Sequence, residues 1–84
     1  MVTQIMLPKI GWIGMPRYRN KIWLGRWNKS NGSVVNVDDI IAIIDTPKAR
    51  IEIKSPASGI LFWMKKNNVK VHVLDVLGVV FDKL

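Results

Sequence analysis

Few side chains in this 84-residue chain could carry chemistry. It has no cysteine, which removes thiol nucleophiles, disulfides, thiolate zinc sites and iron–sulfur clusters together. His72 is the single histidine, and alone it makes neither a histidine-based metal site nor a Ser-His-Asp triad. Glu52 is the only glutamate, a scarcity that disfavours two-carboxylate catalysis and oxygen-ligand cation cages. No catalytic residue and no metal-ligand set is therefore assigned. Any chemistry must be carried on something attached or borrowed.

The elements that would position such a group are strands. Val, Ile and Thr make up 23 of the 84 residues, while Ala and Glu are rare. Apolar or alternating runs at Thr3–Leu7, Lys21–Trp27, Asp39–Ile44, Ala49–Lys54, Ile60–Lys65 and Asp75–Phe81 are each bounded by Gly, Pro, Asn or Asp. No segment has the periodicity of an amphipathic helix, and Arg17–Lys21 reads as an exposed loop. A chain this short buries only about 60–65% of its unfolded surface. The expectation is one all-β domain over residues 1–84, with a thin core and no room for an enclosed enzyme cleft.

A repeat at an offset of 36 residues organises these strands. It aligns Trp27 with Trp63, Lys29 with Lys65, Asn31 with Asn67, Val35 with Val71, Val37 with Val73, Asp39 with Asp75, Ile41 with Leu77 and Ile44 with Val80. Gly32 falls opposite Asn68, and these two residue types enter the left-handed backbone region most cheaply. Two copies of strand, turn, short strand and strand predict a pseudo-twofold sandwich or flattened barrel. Trp27 and Trp63 are then core or half-buried, and Asp38-Asp39 serves a turn. His72 is a solvent-facing strand residue, while Gly59 and Gly78 mark close approaches between strands.

Between the copies lies a tight hairpin. Pro47 fixes φ near about −65° and suits the first central position of a type I turn, which puts Lys48 at the second, on the tip. Asp45 then faces Arg50, and Ile51 and Ile53 point inward while Glu52 and Lys54 point out. Two-residue hairpins prefer type I′ turns, which proline forbids, so the strands must splay or bulge.

A hairpin with one lysine at its tip, set between two quasi-equivalent halves, resembles the biotinyl/lipoyl attachment domain. The likeness runs from about Thr3 to Val80. Ile5–Gly11, IMLPKIG, is similar to that family's opening strand, and Trp27, Gly32, Val35 and Asp39 stand where its first half has turn signals. Asp45-Thr46-Pro47-Lys48-Ala49 occupies the place of the attachment tip, and IEIKSPASGIL follows the return strand and its Pro-x-x-Gly turn. The resemblance implies two quasi-symmetric four-stranded sheets and a non-catalytic swinging-arm carrier in the cytoplasm. It also implies lipoate joined covalently to Lys48, with Asp45, Thr46, Pro47 and Ala49 as flanks. Its partners would be a lipoyl ligase and the enzymes of a 2-oxoacid dehydrogenase-type complex, among which acyl groups are shuttled. Biotin and its ligase are the alternative, but biotin carriers usually have methionine on both sides of the lysine. The family's aspartate before the lysine is Pro47 here.

The charge fits this picture least. Thirteen Lys and Arg against six Asp and Glu give +7, whereas lipoyl domains are generally acidic. A basic chain suits acidic partners, anionic membranes or nucleic acid. A small barrel binding single strands, with Trp12 or Trp23 stacking bases beside Arg17, Arg19 and Arg26, is the competing class. It leaves the repeat and the lysine tip unexplained. An unmodified module that docks proteins is a third reading. The longest apolar run, Ile40–Ile44, is far too short for a transmembrane span.

Overall fold

In a computed structural model, which describes residues 1–82, the chain forms eight strands and no helix. They are β1 (Val2–Met6), β2 (Trp23–Trp27), β3 (Val34–Val35), β4 (Ile40–Asp45), β5 (Arg50–Lys54), β6 (Gly59–Trp63), β7 (Val69–Lys70) and β8 (Val76–Phe81). Two antiparallel four-stranded sheets result, in the orders β1-β8-β6-β3 and β5-β4-β2-β7. Each long strand turns one row of side chains toward the core, and β4 and β8 bury two successive residues, Ile41-Ala42 and Leu77-Gly78, where the alternation is broken. The buried rows meet as one core that includes Ile5, Ile22, Leu24, Val35, Ile41, Ile44, Leu61, Val71, Leu77 and Val80.

The expected strands lie where the hydrophobic runs place them, with ends trimmed by turns. Lys21 N–H bonds to Tyr18 C=O at 2.8 Å, so β2 starts only at Trp23. The N–H groups of Met64 and Lys65 both donate to Leu77 C=O, which curls the chain away after Trp63. His72 corrects the expectation: it is exposed but lies in the turn after β7, where its N–H donates to Asp75 Oδ2 at 2.8 Å.

The 36-residue repeat is a physical pseudo-twofold. Asn36 N–H meets Asp39 Oδ2 at 2.8 Å as His72 meets Asp75, and Asn28 N–H bonds to Ile41 C=O as Met64 does to Leu77. Gly32 and Asn68 have φ of 87° and 60°; Asp38 and Leu74, the next such pair, have 71° and 80°. The rotation carries β2, β3 and β4 onto β6, β7 and β8. The short strands are exchanged, since β3 pairs with β6 and β7 with β2, so each sheet contains strands of both halves. The offset slips by one residue at Gly25, where β2 carries a bulge against β4 and β6 has none against β8.

At the centre the two tryptophans stack, with ring centroids 5.7 Å apart and planes 8° from parallel. Each is clasped by the other half. Trp27 N–H donates to Asn67 Oδ1 at 2.8 Å and its indole Nε1 to Lys65 C=O at 2.8 Å. Trp63 N–H donates to Asn31 Oδ1 at 2.9 Å and its Nε1 to Lys29 C=O at 3.1 Å. All four donors are thereby paired across the twofold, and among the described residues no buried side-chain polar atom lacks a partner.

Two outcomes follow in urea-unfolding measurements. Asn31→Ala and Asn67→Ala each orphan a tryptophan N–H and lower stability by about 1–2 kcal/mol. Asn67→Ala is the costlier because Trp27 is the more buried ring. Leu74 spends about 1–2 kcal/mol in a left-handed conformation while its side chain is 78% exposed, so Leu74→Asn raises stability by about 0.5–1 kcal/mol.

Candidate functional site

The β4–β5 hairpin ends in a loop of four residues, Thr46 to Ala49, with Pro47 and Lys48 at its apex and Lys48 exposed. The strands reach it in the predicted register, Asp45 opposite Arg50 and Ile44 opposite Ile51. Asp45 Oδ1 accepts from Arg50 Nε at 3.0 Å. The pair is solvent-exposed and contributes only about 0.2–1 kcal/mol, serving register more than stability. Ile53 is buried and Ile51 half-buried, while Glu52 and Lys54 face solvent.

The tip is hydrogen-bonded largely through a side chain. Thr46 N–H donates to Ala49 C=O at 3.1 Å, but the returning Ala49 N–H is taken by Thr46 Oγ1 at 3.0 Å. The same hydroxyl donates to Ala49 C=O at 2.7 Å. A threonine side chain thus closes the loop in place of the backbone carbonyl, and the expected irregularity of the flanking strands falls at their far end, where β4 slips in register against β5 between Ile40 and Ala42. Gly25 supports the tip from β2, because a Cβ there would collide with the Asp45 carboxylate.

The Lys48 side chain does not simply extend into water. Its Nζ lies 5.0 Å from the Trp12 ring centroid and 6.0 Å from that of Tyr18, and those rings meet edge to face at 5.2 Å. The aromatic pair is held by the β1–β2 loop through successive turn bonds: Met15 N–H to Trp12 C=O, and both Tyr18 and Arg19 N–H to Met15 C=O. Trp12 rests on the core beneath.

Sequence reasoning placed Trp12 and Trp23 in one basic aromatic surface with Arg17, Arg19 and Arg26. The structure gives the two tryptophans different partners. Trp12 belongs to the tip, whereas Trp23 sits on the outer face of β2 with Lys70 Nζ 5.7 Å from its ring. Tyr18 was missed, and its only sequence signal was an aromatic residue within the loop that follows β1. Asp38 and Asp39 form a turn, with no group of potential metal ligands among the described residues. An apolar groove lined by Leu7, Ile10, Ile13, Val73 and Leu74 among others contains none of the tip residues.

Comparison with known proteins extends over nearly the same span as the repeat and the hairpin. A family model described as a biotin-requiring enzyme, of biotin/lipoyl type, matches residues 3–80. The chain is 31% identical over 81 residues to the dihydrolipoyllysine-residue succinyltransferase component of the 2-oxoglutarate dehydrogenase complex of Bartonella vinsonii subsp. berkhoffii. That alignment covers 95% of this chain but 18% of the relative, so the chain spans less than a fifth of the curated protein it matches. The solution structure of the lipoyl domain of the 2-oxoglutarate dehydrogenase complex from Azotobacter vinelandii superposes with a TM-score of 0.72. It covers 93% of this chain and 96% of that one at 22% identity, a likeness of fold.

The lysine–aromatic contact is measurable. A double-mutant cycle of Lys48→Ala with Trp12→Ala in urea unfolding should give a coupling of about 0.5–1 kcal/mol, the value of an exposed cation–π pair. A coupling indistinguishable from zero means that Trp12 does not hold the amine.

Proposed function

Because this chain belongs to the biotin/lipoyl attachment family, we propose that it is a carrier domain whose Lys48 receives lipoate in amide linkage. The observation that carries this reading is the exposed amine at the apex of a hairpin fixed by Thr46, Asp45 and Arg50. An amine so placed can enter a ligase active site without the body of the domain following it. The carboxyl of lipoate, activated by the ligase, is attacked by the neutral amine, and the activating group leaves as the amide forms. The dithiolane supplies acyl and redox chemistry that no described side chain of this domain offers.

Acylation also explains the aromatic pair. The ammonium is attracted to the faces of Trp12 and Tyr18, and the amide carries no charge, so modification removes the electrostatic part of that hold. The unmodified lysine is kept near the surface, and the loaded arm is released to reach partner sites. The reading of lipoate over biotin rests on Pro47 and Ala49 beside the lysine and on the lipoyl relative. The enzymes served are those of a 2-oxoacid dehydrogenase-type complex, and the domain itself catalyses no step.

Intact mass spectrometry after co-expression with a lipoyl ligase, and separately with a biotin ligase, tests the assignment. Wild type should gain one lipoyl group and no biotin, and Lys48→Ala should gain neither while still unfolding cooperatively, its stability lowered by no more than about 0.5–1 kcal/mol, the value of the lost cation–π contact. An unmodified wild type with both ligases, or modification that survives Lys48→Ala, defeats it.

A further inference from the structure

The two outer faces of this sandwich are related by the pseudo-twofold yet differ in chemistry. Across β5-β4-β2-β7 the solvent-facing row reads Arg50, Asp45, Trp23, Lys70, followed by Glu52, Ile43 and Arg26. The rotation carries it to Val2, Phe81, Ile60, Val34, followed by Gln4, Val79 and Phe62, on β1-β8-β6-β3. Every charged position of the first face has an uncharged mate on the second. These mates are open to solvent: Val34 is 75% exposed, Val2 56%, Phe62 44% and Phe81 41%. None of the described side chains in the two rows of this second face carries a charge.

We infer that the outer face of β1-β8-β6-β3 is a self-association surface, on which a second copy of this chain packs face to face. Two features select that occupant. The exposed parts of Val2, Val34, Phe62 and Phe81, with half-buried Ile60 and Val79 between them, form one apolar patch on the order of 450 Å² per copy. Such a patch is within the range of functional patches on monomers, and two copies stacked on it, with Gln4 and the rim included, bury about 1,000 Å², the smallest area expected of a biological interface. The second feature is charge. Two copies at +7 repel wherever cations face each other, and this face lets them meet with none between the sheets. Sheets pack in this manner when apolar side chains from the two faces interdigitate. The inference is independent of the role of Lys48, whose hairpin lies in the other sheet.

Sedimentation equilibrium from micromolar to millimolar protein tests it. The expected result is a monomer–dimer equilibrium in the micromolar to submillimolar range that tightens when salt is raised from about 0.05 to about 0.5 M, because screening relieves the mutual repulsion. Val34→Lys and Phe62→Arg should each weaken the dimer by at least about tenfold. Both leave the fold intact, since their twofold mates are already Lys70 and Arg26; an unchanged unfolding midpoint checks this. A monomer at every concentration overturns the inference. So does a dimer that ignores both substitutions or dissociates as salt rises, which would place the contact at a strand edge or on the charged face.

Discussion

Everything in this small sandwich is referred to the reciprocal clasp at its centre. Two tryptophans stack on the pseudo-twofold, and each has its backbone and indole N–H groups held by the turn of the opposite half. The clasp fixes where β2 and β6 end, sets the turns that launch β3 and β7, and so determines which short strand joins which sheet. A core of this size has little hydrophobic surplus. Directional bonds that two halves impose on each other supply the uniqueness that bulk burial cannot.

Much of this was legible in the residues, and for physical reasons. A period-two pattern between turn residues specifies strands strongly, and the aligned Trp, Asn and Asp of the repeat are the groups that make the equivalent bonds. Gly32 and Asn68 announced their backbone conformation by type. Leu74 did not, because its positive φ is imposed by the symmetric position of Asp38 and is disfavoured by its own side chain. His72 looked like a strand residue by alternation alone, but the Asp75 carboxylate three residues on captures its N–H and turns the chain. At the tip, proline and register were readable, while the role of the Thr46 hydroxyl was not, since nothing local distinguishes a threonine that closes a turn from one that faces water. The aromatic pair near Lys48 depends on how the sixteen-residue connection between Met6 and Trp23 folds back, which no periodicity encodes.

The net charge also takes a different shape in three dimensions. It is unevenly spread: Arg26, Arg50, Lys54 and Lys70 crowd the sheet that carries the hairpin, and Arg17, Arg19 and Lys21 lie in the loop beside it. The opposite sheet presents valine, isoleucine and phenylalanine. A partner with an acidic surface is thus steered toward the half of the molecule that holds Lys48.

The exchange of the short strands makes the chain a ring in all but one bond. β8 pairs with β1 at the position where β4 pairs with β5, and Asp82 N–H bonds to Met1 C=O at 2.9 Å as Thr46 N–H bonds to Ala49 C=O. One of these two equivalent corners is the covalent turn Thr46 to Ala49; at the other, among the described residues, the two strands are joined by hydrogen bonds. Parting of β1 from β8 therefore leaves the β4–β5 corner, with its lysine, held by its own turn and ladder.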